Sequence, residues 1–377
     1  MTQSREVEGG DTGGTAASDN VPLVVDLDGT LLRTDLLLES ALRLIRQKPW
    51  LVLLMPIWLL RGRAYLKRSV FQRVQIDVSV LPSHEELLTW LRDEKARGRR
   101  LILATASDYH QACSVVEPFG LFDTVLGSDG QRNLKGREKL KTIVDVCGEE
   151  FDYVGNSHSD LAIWRDCRQA ILVNASGRVE RSARRAGNVV RVFPASLTAF
   201  RDALSSMRFD QWLKNLLLFV PALTAHTIFD RAVFGSATLA FFSFGFAAST
   251  AYILDDLLSL EEDRRHATKK QRPLASGRTF IGSGVVLAVA CLSASAVIAT
   301  SLPGVFLMAL TTYLVLTSLY GLFLKRFPLI GVLALAVLYT LRVIAGHLAT
   351  GIPFSFWLLS LTFFLFLSLG FSKRVAA

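Results

Sequence analysis

Asp26 and Asp28, two residues apart at the end of the apolar run VPLVVDLDGTLL, are the first pair of side chains suited to chemistry. Two carboxylates at that spacing can converge on one cation, and one can attack phosphorus while the other handles a proton. A second acidic group lies far downstream in ILDDLLSLEEDRRHATKKQRPLASGR, residues 253–278. There Asp255, Asp256 and Asp263 precede Arg264, Arg265, His266, Lys269, Lys270 and Arg272, so acids suited to a metal adjoin bases suited to phosphate oxygens. If the preceding apolar run continues as a helix, Asp256, Ser259 and Asp263 share one face. Asp256 and Asp263 then stand two turns apart, about 10 Å along the axis, too far to share one ion. They could instead grip opposite ends of a diphosphate through separate Mg²⁺ ions.

Strands and helices must carry these groups. A strand over 23–25 puts Asp26 at its carboxyl end, where open α/β sheets place their ligands. RLILATASD repeats the pattern, an apolar strand ending in hydroxyls with Thr105 at its edge, and NLKGREKL offers Lys135 ahead of a helical segment. FDYVGNSHSDLAIW reads as a third strand ending in Gly155, Asn156 and Asp160; QAILVN and NVVRVF read as further strands. Between the first two motifs, residues 50–60 are apolar, about half a membrane span, interrupted by Pro56 and flanked by Arg and Lys. They suit a helical cap over about 35–85 whose apolar face touches the bilayer surface.

The second half is different in kind. Apolar runs over 213–229, 233–254, 281–302, 303–324, 329–350 and 354–371 approach the ~20 residues that cross a bilayer. The chain therefore divides into a Gly-rich polar tail over 1–20, expected to be disordered, a soluble α/β domain over 21–200, and a multi-spanning all-α membrane domain over 205–377. The tail lacks the apolar core of a signal peptide, so the soluble domain is expected to stay in the cytoplasm. Loop charges agree with that orientation: RRHATKKQR, Lys325–Arg326 and Lys373–Arg374 follow the second, fourth and sixth runs, whereas DR at 230–231, SLPG and GIPF lie on the other side. A net charge of +9 in such a chain reflects this asymmetry and anionic substrates or lipids rather than nucleic acid. The four cysteines show no metal-ligand spacing and read as reduced, structural thiols.

The order of motifs over about 20–200 resembles the haloacid dehalogenase (HAD) superfamily of phosphotransferases. The resemblance implies a Rossmann-like fold with Asp26 as nucleophile and Asp28 as general acid/base. It also implies Thr105 and Lys135 as phosphate binders, with Mg²⁺ held by Asp26, the carbonyl of Asp28, and Asp160. Asn156 stands where that superfamily most often has Asp; its amide oxygen can still coordinate Mg²⁺ but brings no charge.

Over about 205–377, YILDDLLSLEEDRRHATKKQRPLASG looks like the first acidic motif of the UbiA superfamily of intramembrane prenyltransferases. The similarity is greater to its polyprenyl-phosphate phosphoribosyltransferase branch, whose pattern is NDxxDxxxDxxHPxKRxRPxAxG. The entry QWLKN with Lys214 and Asn215, the segment with Tyr320, Lys325, Arg342 and Gly346, and SKRVA with Lys373 and Arg374 fit that branch too. The resemblance implies an integral protein of the cytoplasmic membrane with phosphoribosyl diphosphate and polyprenyl phosphate as substrates. Asp255, Asp256 and Asp263 would hold Mg²⁺ and diphosphate. Lys214, Asn215, His266, Lys269, Lys270, Arg272, Lys325, Arg342, Lys373 and Arg374 would bind substrate, and the HAD domain would remove the 5-phosphate left on the product. Ser259 and Gly331 replace aspartates of the pattern, and Ala267 replaces its proline. Members of the superfamily usually have nine spans against six here, so the membrane domain is expected to be C-terminally incomplete. Two alternatives stay open: prenyl transfer to an aromatic acceptor, and a degenerate, non-catalytic membrane protein bearing a HAD domain.

Overall fold

The computed structural model describes residues 21–194 and 199–375, without the side chains of 199, 200, 326 and 373–375. The tail over 1–20 and the side chains of Lys373 and Arg374 thus lie outside the described residues. The chain forms two compact units, one from Leu51–Ser196 with the chain up to Ser40, the other from Ala41–Trp50 with Leu197–Ala377.

The first unit is built on six parallel strands: β1 (Leu23–Val25), β2 (Leu101–Asp108), β3 (Thr124–Ser128), β4 (Asp152–Gly155), β5 (Gln169–Val173) and β6 (Val189–Phe193), in the order β3-β2-β1-β4-β5-β6. Their period-two alternation feeds two cores. Leu23, Val25, Leu101, Leu103, Val154 and Ile171 point into one, while Val24, Ile102, Ala104, Tyr153 and Leu172 point into the other. A sheet buried on both faces reads as near-continuous apolar strands, as these do. Helices α1 (Leu36–Gln47), α2 (Met55–Leu60), α3 (Arg63–Phe71) and α4 (Glu85–Ala96) lie between β1 and β2 in sequence. Helices α5 (Tyr109–Val116), α6 (Arg137–Cys147), α7 (Leu161–Asp166) and α8 (Gly177–Arg184) connect the later strands. The strand order reverses at β1, flanked by β2 and β4, which opens a crevice at their carboxyl ends.

Five strands, β1, β2, β4, β5 and β6, follow the sequence reading. The edge strand β3 was not anticipated; it is only half-buried, and Gly127 interrupts its apolar run because a Cβ there would lie 2.7 Å from the Tyr109 backbone.

The second unit is helical: α9 (Ala199–Ser205), α10 (Val220–Thr224), α11 (Arg231–Leu258), α12 (Leu260–Arg265), α13 (Ile281–Ala299), α14 (Gly304–Leu322), α15 (Pro328–Thr350) and α16 (Phe356–Val375). Among the described residues, α11, α13, α14 and α15 are long and apolar enough to cross a membrane, and the part of α16 with described side chains, Phe356–Ser372, is apolar as well. The expected first span over 213–229 is not one helix. Residues Phe209–Phe219 form 3-10 turns after Arg208 adopts a left-handed conformation, and Pro221 opens the short α10. Trp212, Asn215 and Leu218 turn inward along this stretch, so polar and aromatic anchoring replaces a regular apolar cylinder.

Small residues let the spans approach. Ser243 on α11 and Ser295 on α13 each donate a hydroxyl to the other's carbonyl, at 3.0 and 2.8 Å, and Thr250 reaches the carbonyl of Ala288. Trp212 donates to the Ser249 hydroxyl at 3.0 Å and packs where Gly245 leaves room.

Candidate active sites

The HAD-like motifs meet at the carboxyl ends of β1, β2 and β4. Asp26 follows β1 directly, and its N–H donates to the Val154 carbonyl of β4 at 3.0 Å. Lys139 reaches Asp26 from the buried face of α6. Its ammonium donates to Asp26 Oδ1 at 2.7 Å and to the Tyr153 hydroxyl at 3.1 Å. That hydroxyl donates in turn to Asp160 Oδ1 at 2.9 Å. Asp160 Oδ2 collects the N–H groups of Asn156 and Ser157 and the Ser157 hydroxyl, which fixes the loop after β4. Burial pushes the Asp26 carboxyl up; Lys139 opposes the rise and Asp160 adds to it. Burial works against the charge of Lys139, but Asp26 and Asp160 outweigh it and hold the ammonium above its ordinary range.

Asp28 is held differently. Its Oδ1 accepts the N–H of Leu36 at 2.8 Å, and its Oδ2 accepts the Ser107 hydroxyl at 2.6 Å with Thr105 Oγ1 at 3.5 Å. Desolvation, reinforced by Asp35, raises its pKa to about 7 despite these donors. Near-neutral pKa is what a group that both gives and takes a proton needs. Gly29, with φ +76°, makes the turn between the two carboxylates and the Asn156 amide; a Cβ there would lie 2.1 Å from Asn156 Nδ2. From α3, Lys67 donates to the Ala106 carbonyl at 2.5 Å and to Asn133 Oδ1 at 3.1 Å. At the opposite end of the strands, buried Asp152 pairs with Arg99 and Arg168, an arrangement that ties the sheet together away from the site.

In the helical unit the acids and bases of 253–278 form a compact cluster. Arg272 Nη1 donates to both Asp256 Oδ1 at 3.0 Å and Asp263 Oδ2 at 2.7 Å, and Arg208 Nη2 adds a bond to Asp256 Oδ1 at 2.6 Å. One nitrogen serving both carboxylates brings their bonded oxygens within two hydrogen-bond lengths of each other. The helix breaks at Ser259, which leaves the helical region (φ −110°, ψ 16°) while its N–H and hydroxyl both bond to the Asp255 carbonyl. Such back-bonding bends helices, and α12 restarts at Leu260 with the Asp263 N–H donating to the Ser259 carbonyl at 2.9 Å.

The UbiA prenyltransferase family matches residues 216–375, and the haloacid dehalogenase-like hydrolase family matches 23–165. The y4nM protein of Sinorhizobium fredii is 36% identical over 94% of this chain and 69% of its own length. This chain is a UbiA-family membrane protein with a HAD-like domain. A decaprenyl-phosphate phosphoribosyltransferase of Corynebacterium glutamicum is 33% identical over 46% of this chain, and the nodulation protein NoeC of Azorhizobium caulinodans is 33% identical over 48%. The chain spans 53% and 59% of those two relatives' lengths.

Not every expected residue joins a site. In the HAD domain Lys135 is exposed, and Lys139, one helical turn further on, takes the place beside Asp26. The spacing of NLKGREKL offers both lysines; Lys135 falls in the loop before α6, whereas Lys139 lies on the helix's buried face. Ser107, Tyr153 and Lys67 were also missed; Ser107 lies two residues past Thr105, whereas Lys67 comes from a helix with no motif. In the UbiA domain Arg272 joins Asp256 and Asp263, but His266, Lys269 and Lys270 stand exposed in the following loop. Asp255 pairs instead with Lys325 at 2.9 Å near the surface, where a Cβ on Gly321 would lie 3.1 Å from Asp255 Oδ1. Lys214 is half-buried. Asn215 and Arg342 form a separate buried group: Arg342 donates to Asn215 Oδ1 and the Tyr313 hydroxyl, both at 3.0 Å, and lies over the Tyr313 ring. Asn215 Nδ2 is buried without a partner among the described residues. Arg208 carried no sequence signal, because it reaches Asp256 through a left-handed turn.

Among the described residues, no three His, Cys, Asp or Glu side chains gather around a common point. Mg²⁺ does not need them: it takes one or two carboxylates, waters and substrate phosphate oxygens. The oxygens that could hold Mg²⁺ in this way are those of Asp26, Asp160, the Asn156 amide and the Asp28 carbonyl in the first unit, and those of Asp256 and Asp263 in the second.

Proposed function

We propose that the UbiA domain transfers ribose 5-phosphate from phosphoribosyl diphosphate to polyprenyl phosphate, and that the HAD domain then hydrolyses the remaining 5-phosphate. The two domains are assigned to 205–377 and 21–200, with the HAD domain and the 253–278 loop on the cytoplasmic side. The observation that carries this reading is the Arg208–Asp256–Arg272–Asp263 cluster, which combines acids for a metal with bases for a diphosphate in a membrane domain. In the transfer, a phosphate oxygen of the lipid attacks C1 of the ribose as the bond from C1 to the diphosphate oxygen breaks. Arg208 and Arg272 swing from the carboxylates to the departing diphosphate and stabilise its charge. Asp256 and Asp263 are the residues that would hold Mg²⁺, which neutralises phosphate oxygens when bound.

In the hydrolysis, a carboxylate oxygen of Asp26 attacks phosphorus and Asp28 gives its proton to the departing C5 oxygen. A water then attacks the aspartyl phosphate, Asp28 takes back a proton, and inorganic phosphate leaves with Asp26 restored. Lys139, Thr105 and Ser107 position the phosphoryl group and the two carboxylates. Asp26, Asp160, Asn156 and the Asp28 carbonyl would hold the Mg²⁺ of this site.

The test is incubation of membranes bearing this chain with ribose-labelled phosphoribosyl diphosphate, polyprenyl phosphate and Mg²⁺. Label should enter the lipid extract with the parent protein and not with Asp256→Ala. Absence of lipid label from well-inserted parent protein would overturn the transfer.

A further inference from the structure

Between Glu39 and Asp77 the chain carries eight Lys and Arg side chains and no Asp or Glu. In the middle of that basic region, the 3-10 turn Pro49–Leu54 and α2 leave large apolar side chains uncovered. Leu53 is 79% exposed, Leu60 88%, and Trp50, Ile57 and Leu59 each half or more. Trp58 alone turns inward, where the Arg73 guanidinium lies 4.7 Å from its ring and pins the segment to the domain. An apolar patch of this density, rimmed by one sign of charge, marks an interaction surface.

The charge selects the occupant. A basic rim around aliphatic tips complements an anionic lipid headgroup layer, with the leucines below the phosphates and Arg61 and Arg63 among them. The twelve apolar-rich residues Pro49–Leu60 are too short to cross a bilayer, which takes ~20. Among the described residues, the same polypeptide also has four helices long and apolar enough to cross a membrane, which bring a bilayer within reach. Directly after α2 and Gly62, α3 carries Lys67 onto the Ala106 carbonyl, between the Thr105 and Ser107 that flank Asp28.

We propose that Pro49–Leu60 is an interfacial element seated in an anionic lipid surface, and that it presents the Asp26–Asp28 site to phosphate monoesters carried on membrane lipids. The second half of this statement rests on the hydrolase reading above; the first half does not.

The experiment uses the full chain in phosphatidylcholine vesicles with and without phosphatidylglycerol. A Leu60→Cys variant, in a background of Cys113→Ser and Cys147→Ser, is labelled with an environment-sensitive fluorophore, and Val190→Cys on exposed β6 serves as control. Quenching by doxyl groups on the lipid chains is expected at position 60, stronger with phosphatidylglycerol, and absent at position 190. No quenching at position 60 would overturn the interfacial placement, whatever the enzyme activity. The double variant Leu53→Ser/Leu60→Ser should keep the parent rate on soluble p-nitrophenyl phosphate and lose about tenfold on phosphatidic acid in the vesicles, given the apolar area withdrawn from lipid. Equal loss on both substrates, or no loss on either, would overturn the presentation of lipid-borne esters. Parent protein inactive on both would refute the hydrolase reading and this second half with it, and quenching would still decide the first.

Discussion

Asp28 keeps its proton to about pH 7 in the folded protein, first because burial strips its charge of water and then because Asp35 and Asp26 repel it. The unfolded chain releases that proton near 3.8, so between the two values the folded state binds more protons. The contribution to stability is therefore present at low pH and lost as pH rises towards 7. Metal-free Asp28→Asn protein should melt higher than the parent at about pH 8, with a smaller gain near pH 4, followed by tryptophan fluorescence. Equal gains at both would contradict the assigned cause. The same substitution should lower phosphatase turnover by about 10²–10⁴-fold, the usual worth of a positioned proton donor. Lys139 invites a paired comparison with Lys135. Lys139→Ala leaves Asp26 buried without its cation and should cost about 3–5 kcal/mol of stability by denaturant titration, whereas Lys135→Ala on the exposed side should cost almost nothing. The acids of this site were legible because their motif ends a strand. The lysine was not, since Lys135 lies exposed just before α6 and Lys139 on its buried face, a difference the motif's spacing does not encode.

At the scale of elements, strands β1, β2, β4, β5 and β6 were readable as short apolar runs followed by Asp, Thr or Asn, and the long spans α11 and α13–α15 as runs of membrane length. What escaped the sequence were departures from regularity: the 3-10 turns replacing a first span, the edge strand β3, and the helix break at Ser259. Each depends on tertiary partners that no periodicity encodes. Arg208 entered the second site for the same reason, carried by a left-handed residue rather than by a motif. Gly346 offers a test of the packing that fixes these elements. A Cβ on it would lie 2.3 Å from the Leu218 carbonyl of the 3-10 segment, so one must retreat. Gly346→Ala should lower stability in detergent by about 1–3 kcal/mol, and unchanged thermal unfolding would show that the 3-10 segment is free to shift.

At the scale of the whole molecule, two sites of similar composition occupy two units of different fold, and each has its own full set of charges. Their chemistry is therefore separable. Asp26→Ala should abolish hydrolysis of soluble phosphomonoesters and leave lipid labelling intact, with the label still bearing its phosphate; Asp256→Ala should do the reverse. Loss of both activities in either variant would argue for a shared site. The arginine that spans Asp256 and Asp263 also sets the order of events. Arg208 and Arg272 occupy Asp256 Oδ1 and Asp263 Oδ2, so a dication that took those oxygens would displace a guanidinium, and a displaced guanidinium would favour an anion beside it. If the site takes metal and diphosphate as proposed, each should favour the other, and calorimetric titration should find each binding weakly alone and tightly in the other's presence. On this reading the membrane domain would work as a lock that favours a neutral salt over its separate ions.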